Sequence, residues 1–138
     1  METRTLLATL AGGITYFLGG WALYGTLFAD FFKTNAGTAS GIEKMPPELW
    51  AIGIGSLVFS LLLTLLFIRW AGIVTFRGGA IGGAWVSFLV SLSVDFMLFG
   101  SSNMSNITAT IVDPILGALM GAITGGVIGW VLGYKGKK

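Results

Sequence analysis

Residues 117–133 read GALMGAITGGVIGWVLG, with glycine at 117, 121, 125, 129 and 133 and no charged residue between them. In water this would be a poor helix, because each interior glycine costs roughly 1 kcal/mol relative to alanine. In lipid the spacing has a use. Small residues four apart let a second helix backbone come close, and van der Waals packing then holds the pair. The stretch therefore reads as a transmembrane helix built for packing.

The composition agrees. The chain has 138 residues, 54% hydrophobic and 10% charged, with a mean hydropathy of +0.86. A soluble domain carries about 25% charged residues. The length suits a single domain, residues 1–138. There is no cysteine and no histidine. That excludes disulfides, Cys or His zinc sites, His-ligated haem and catalysis by histidine, and no cofactor or metal is expected. The few basic residues stand at the ends of apolar runs rather than in a stripe with aromatics, so no nucleic-acid partner is expected.

Four apolar segments span about residues 5–32, 48–70, 78–99 and 107–134. Each exceeds the ~20 residues that cross a bilayer. The first is longer than the apolar core of a signal peptide. A polar loop, Thr34 to Pro47, joins the first two, with Pro46 and Pro47 leading into the second helix. Short turns join the rest. The predicted fold is all-α, a four-helix up-down transmembrane bundle. Six basic residues (Arg4, Arg69, Arg77, Lys135, Lys137, Lys138) fall on one side and two (Lys33, Lys44) on the other. The excess places both termini in the cytoplasm. Trp50 would then sit at the outer interface, with Trp70, Trp130 and Tyr134 at the inner one. Asn103 and Asn106 match the N-glycosylation pattern, which a Ser/Asn-rich turn also produces by chance.

The third segment carries its own row of small residues: Gly79, Gly83, Ser87, Ser91, then Asp95. Four residues turn about 400°, so each step of such a row drifts ~40° and five members wind through ~160°. The glycine row Gly117, Gly121, Gly125, Gly129, Gly133 therefore fits either a right-handed crossing with one neighbour or successive contacts with two. It packs this chain's own bundle, or it meets a second copy or another subunit of a membrane complex.

Three acids lie inside apolar segments: Asp30, Asp95 and Asp113. A charge at mid-bilayer costs from ~2.5 to more than 10 kcal/mol, so each is a candidate functional residue. Counting along the helices puts all three in the outer half. Three readings compete. The acids cap helices or bond neighbouring hydroxyls, as Asp113-Pro114 suggests for a helix beginning at Pro114; otherwise Pro114 kinks a longer helix. Alternatively, they form a proton or cation site, since close carboxylates share a proton. Last, Asp95 and Asp113 act as an intramembrane aspartyl pair, although neither VDF nor VDP has flanking glycine. Tyr16 and Trp21, midway along the first segment, are expected to pack in the bundle core. The alternative is a ligand cavity, with Tyr24 one turn above them.

The segment Phe17-Leu-Gly-Gly-Trp-Ala-Leu-Tyr24-Gly-Thr-Leu-Phe28 resembles the first-helix signature of an uncharacterised family of four-helix bacterial membrane proteins, one of the domain-of-unknown-function families. The layout of the remaining helices is similar to that family's. The resemblance implies the four-helix fold and a bacterial cytoplasmic (inner) membrane, and brings no reaction, ligand or catalytic residue. The expected role is non-enzymatic: an accessory or structural subunit in lipid that binds another membrane protein or itself through its Gly-rich helices, as a homo-oligomer or in a larger membrane complex. The alternative is a small oligomeric transporter or channel for protons or cations.

Overall fold

The computed structural model describes residues 2–134; Met1 and the basic tail with Lys135, Lys137 and Lys138 lie outside the described residues. The chain is all-helical. Helix α1 is Thr3–Ala22, continued by a π-helical turn, Leu23–Leu27, and then by the short α2, Ala29–Thr34. Helix α3 is Leu49–Leu66 with a π-helical turn at Phe67–Ala71; α4 is Phe76–Ser101 and α5 is Ile107–Gly133. Four of these stretches are long and apolar enough to cross a membrane. An even number brings the start of α1 and the end of α5 to one end of the bundle, the termini end. The α2 region and the α4–α5 turn occupy the other, the loop end.

The helix boundaries follow local chemistry. Thr75 caps α4, its Oγ1 accepting from the Gly78 N–H at 3.0 Å, so α4 begins before residue 78 and also runs past 99. Gly72, at φ 62°, ends the α3 region in the left-handed conformation that glycine adopts freely. Glu48 is the N-cap of α3, so Pro46 and Pro47 lie outside the helix, not in its first turn. The first segment is not one helix to Phe32. The Phe28 N–H reaches back five residues to the Leu23 carbonyl at 2.8 Å, and Phe28 at φ −111° separates α1 from α2.

The helix-start reading of Asp113-Pro114 is overturned. Asn106 caps α5, its Oδ1 accepting from the Ala109 N–H at 2.9 Å, and Pro114 lies inside the helix. In hydrocarbon, unsatisfied backbone groups are costly enough that a helix persists through a proline. The Asn106 cap, seven positions upstream of Asp113, leaves that residue in mid-helix.

The core sits where α1, α3 and α5 meet. Ala8, Leu63, Phe67, Ile128 and Leu132 are buried there. Small residues make the approach possible: Gly12 faces Ser60 and Ile128, Gly13 faces Leu57, and the Ser60 hydroxyl donates to the Thr9 carbonyl at 2.8 Å. Helix α4 stands outside this triangle and makes its extensive contact with α5. It approaches α3 through the Phe67 ring, which lies on Gly82. In space the helices run α3, α1, α5, α4, with α5 the most enclosed.

Trp21 does not pack in the core; it is 67% exposed. Nine residues separate it from buried Gly12, which at 100° per residue puts it on the opposite side of α1. Tyr16, four residues from Gly12, does turn inward, its ring 4.8 Å from that of Phe59. Trp50 at the loop end and Trp70, Trp130 and Tyr134 at the termini end are all exposed.

The loop end is stitched together by backbone. Gly37 N–H donates to Met104 O at 3.2 Å, Ala39 N–H to Asn103 O at 2.9 Å, and Asn106 N–H to Asn35 O at 3.1 Å. The Asn106 Nδ2 also donates to Asn35 Oδ1 at 3.1 Å.

Candidate functional site

The site begins with the two rows of small residues, which meet each other within one chain. Gly133 abuts Val74, Gly129 abuts Thr75 and Gly79, Gly125 abuts Gly79 and Gly83, Gly121 abuts Gly83 and Ser87, and Gly117 abuts Ser91. The whole glycine row therefore faces a single neighbour. A Cβ on Gly83 would stand 2.9 Å from the Gly125 Cα, and one on Gly79 3.2 Å from the Gly129 Cα. The Ser87 hydroxyl is sealed in this seam without a hydrogen-bond partner.

The pairing is antiparallel and symmetric about residue 104, in the α4–α5 turn: Ser87 meets Gly121 and Ser91 meets Gly117. One step further, the same register brings Asp95 opposite Asp113. The two carboxyls are thereby neighbours across the seam. The acid pair is thus the last rung of the glycine seam. Asp95 lies six residues before the end of α4 and Asp113 six after the first residue of α5, on the order of 10 Å below the loop end.

The surroundings of the pair are aromatic and uncharged. From the first span, Tyr24 and Tyr16 are neighbours of the Asp113 carboxyl. The Tyr24 ring stacks on Phe32 of α2 at 5.3 Å. One Asp95 oxygen, Oδ2, is buried and has no hydrogen-bond partner. Among the described residues the salt bridge is Lys44–Glu48, exposed in the first loop, so no Lys or Arg neutralises either carboxylate. Nor do the described residues hold a group of three His, Cys, Asp or Glu side chains placed for a metal ion.

Chemically, two facing carboxylates with no cation repel strongly in a medium of low dielectric. One proton between them converts that repulsion into a short charge-assisted hydrogen bond. Below the pair, rung after rung of backbone contact closes the seam down to Gly133. Two cavities lie elsewhere. One, about 190 Å³, sits between α1 and α5 beside Thr15, Gly19, Met120 and Thr124. The other, about 390 Å³, lies at the termini end beside Thr75, Phe76, Trp130 and Tyr134. No acid lines either.

Of the three candidate acids, the fold joins two. Asp30 is exposed on α2 and is not among the groups facing Asp95 or Tyr24. Tyr24 is the member that sequence reasoning placed one turn above a cavity and did not connect to an acid. Its position is set within the π-helical turn, which no residue pattern in Leu23–Leu27 marks.

Comparison with known proteins finds no family model, no curated protein and no solved structure that matches this chain.

Proposed function

We propose that this is a non-enzymatic, multi-pass protein of a bacterial cytoplasmic membrane that binds a proton at the Asp95–Asp113 pair. The termini end faces the cytoplasm and the acids lie in the outer half. The observation that supports the binding reading is the uncompensated pair itself: Asp95 has a buried oxygen without a donor, its carboxyl faces Asp113, and no described Lys or Arg is within salt-bridge distance. A proton is the simplest species that satisfies both groups. The closed seam below the pair favours a site that exchanges with the outside over a pore through one chain.

Stability against pH tests this. With the proton bound the pair holds α4 to α5. Once it leaves, two negative charges oppose one another, so stability falls as pH rises through the pair's titration. Purified protein in nanodiscs is expected to show this fall, and Asp95→Asn or Asp113→Asn to flatten it. Parallel pH curves for wild type and both amide variants would sink the proposal. Vesicles loaded with a pH dye separate binding from transport. An acid pulse outside leaves the interior unchanged if the site only binds, whereas acidification abolished by Asp95→Asn makes the protein a conductor.

A second reading, an accessory subunit for another membrane protein, is favoured by the position of α4. It leans on α5 and leaves Trp85, Leu89, Phe96 and Met97 exposed. Such a partner would bind this outer side of α4, since the glycine rows are occupied within the chain. Loss of a co-purifying protein on Trp85→Ala, with the fold intact, is the expected outcome.

A further inference from the structure

Helices α1 and α5 touch on one half of the membrane and part on the other. Toward the termini end they are in close contact. Ala8 and Leu132 share the core, and a Cβ on Gly12 would stand 2.6 Å from Ile128 Cγ1. Two turns nearer the loop end the contact has opened. A Cβ on Gly19 would meet only the Met120 Cε, at 3.9 Å, and one on Gly20 would meet the same atom at 3.5 Å. The cavity of about 190 Å³ occupies the space between the two helices.

Its depth follows from the spans. Thr15 is the midpoint of the span Thr3–Leu27, and Met120 is the midpoint of α5. The groove therefore starts in mid-membrane and runs toward the loop end as far as Leu23, on the order of 12 Å. Met120 on its floor is buried, whereas Leu119 and Ile123 on its rim are exposed, so it opens sideways into hydrocarbon.

The lining selects an apolar occupant. The Thr15 hydroxyl already donates to the Ala11 carbonyl at 2.7 Å, Thr124 is buried, and among the described residues no charged side chain lines the groove. A polar ligand would give up its hydrogen bonds to water without replacement. An unfilled cleft forfeits the dispersion contacts of its walls. An apolar cavity of about 150 Å³ takes up benzene, so this one has room for part of a hydrocarbon chain. A helix of a partner protein does not fit, because a helix with its side chains is about 10 Å across. Acyl tails already stand at the rim.

We propose that the groove between α1 and α5 is a binding site for one acyl chain of a phospholipid from the loop-end leaflet. The chain lies with its methyl end beside Thr15 and Met120 and leaves past Leu23. It supplies the contacts between α1 and α5 that Gly19 and Gly20 omit. The site is independent of the protonation of Asp95 and Asp113, neither of which lines it.

Photocrosslinking of the full chain in nanodiscs tests this with two phosphatidylcholine probes. One carries a diazirine at the methyl end of an acyl chain, the other close to the ester. The first is expected to label Met120 or Thr15 and the second to label around Leu23, both more strongly than the exposed faces of α3 and α4. Gly19→Leu, whose side chain fills the groove, is expected to abolish that labelling and to leave the faces of α3 and α4 labelled as before. Gly53→Leu, on α3 where a Cβ meets nothing within 4 Å, should keep it. Native mass spectrometry after delipidation should find a single retained phospholipid on wild type and none on Gly19→Leu. Groove labelling no stronger than that of α3 and α4, or labelling and retention unchanged in Gly19→Leu, overturns the site. The reverse order of the two probes overturns the assignment to the loop-end leaflet. The wild-type labelling decides by itself if Gly19→Leu does not fold.

Discussion

At Gly83 there is no space for even one methyl group. A Cβ there would meet the Gly121 carbonyl and stand 2.9 Å from the Gly125 Cα, both backbone atoms that cannot swing aside. Overpacking of this kind costs typically about 1–3 kcal/mol. Gly83→Ala is therefore expected to lower the free energy of unfolding by that amount, read from denaturation in mixed micelles. Gly125→Leu is expected to unseat α4 altogether. Gly53 on α3 makes the contrast, because a Cβ there meets nothing within 4 Å. Gly53→Ala should leave stability unchanged or raise it by up to about 1 kcal/mol, through helix propensity alone. Equal losses at Gly53 and Gly83 would mean that the seam is not what holds α4. The glycine row was visible in the sequence as a packing surface. Which surface it meets was not, because a row of four-residue spacing fits a second copy as well as a neighbouring helix.

Among the elements, the α4–α5 hairpin and the α1–α2 break carry the site. Asn106 has two duties, capping α5 and tying Asn35. Asn106→Ala removes both and is expected to cost about 1 kcal/mol for the cap. Amide exchange checks it: the Ala109 N–H, which Asn106 Oδ1 accepts, should exchange faster, and so should those of Gly37 and Ala39, which hold the loops together. Deleting Thr26 would turn the π-helical turn of α1 into an α-helical one and rotate α2 by about 100°. Phe32 would leave Tyr24, and exchange at Gly37 and Ala39 should rise while the span itself survives. Asp113 shows how an element decides a residue. Read locally, Asp-Pro is a helix start. In the bundle the start belongs to Asn106, and Asp113 stands about a quarter of the way down the seam side of the 27-residue α5 because each residue of the hairpin keeps its partner across the turn.

At the scale of the molecule, the proposal of cytoplasmic termini has a direct check, because the chain has no cysteine and single-cysteine variants label cleanly. Ser40→Cys in the first loop is expected to react with a membrane-impermeant maleimide on intact cells. Val74→Cys, between α3 and α4, should react only after permeabilisation. The reverse pattern would invert the orientation and move the acid pair to the cytoplasmic half.

Composition and periodicity alone determined that this chain is helical, has four apolar segments and holds acids where hydrocarbon should be. The solvent imposes these features: in lipid a backbone must satisfy itself, and only long apolar helices do so at this length. The hairpin register was nearly legible too. If the two rows on either side of the short turn meet each other, the register without a four-residue slip opposes Asp95 to Asp113; the sequence leaves open whether they meet. What only the tertiary structure decided is the third dimension of the site. It set α4 against α5 rather than inside a closed ring, left Asp30 and Trp21 facing outward, and brought Tyr24 to Asp113. Those outcomes depend on a π-helical turn and on hydrogen bonds between loops seventy-one residues apart, from Asn35 to Asn106. No local pattern encodes either, because both are settled by the fit of distant backbone groups to one another.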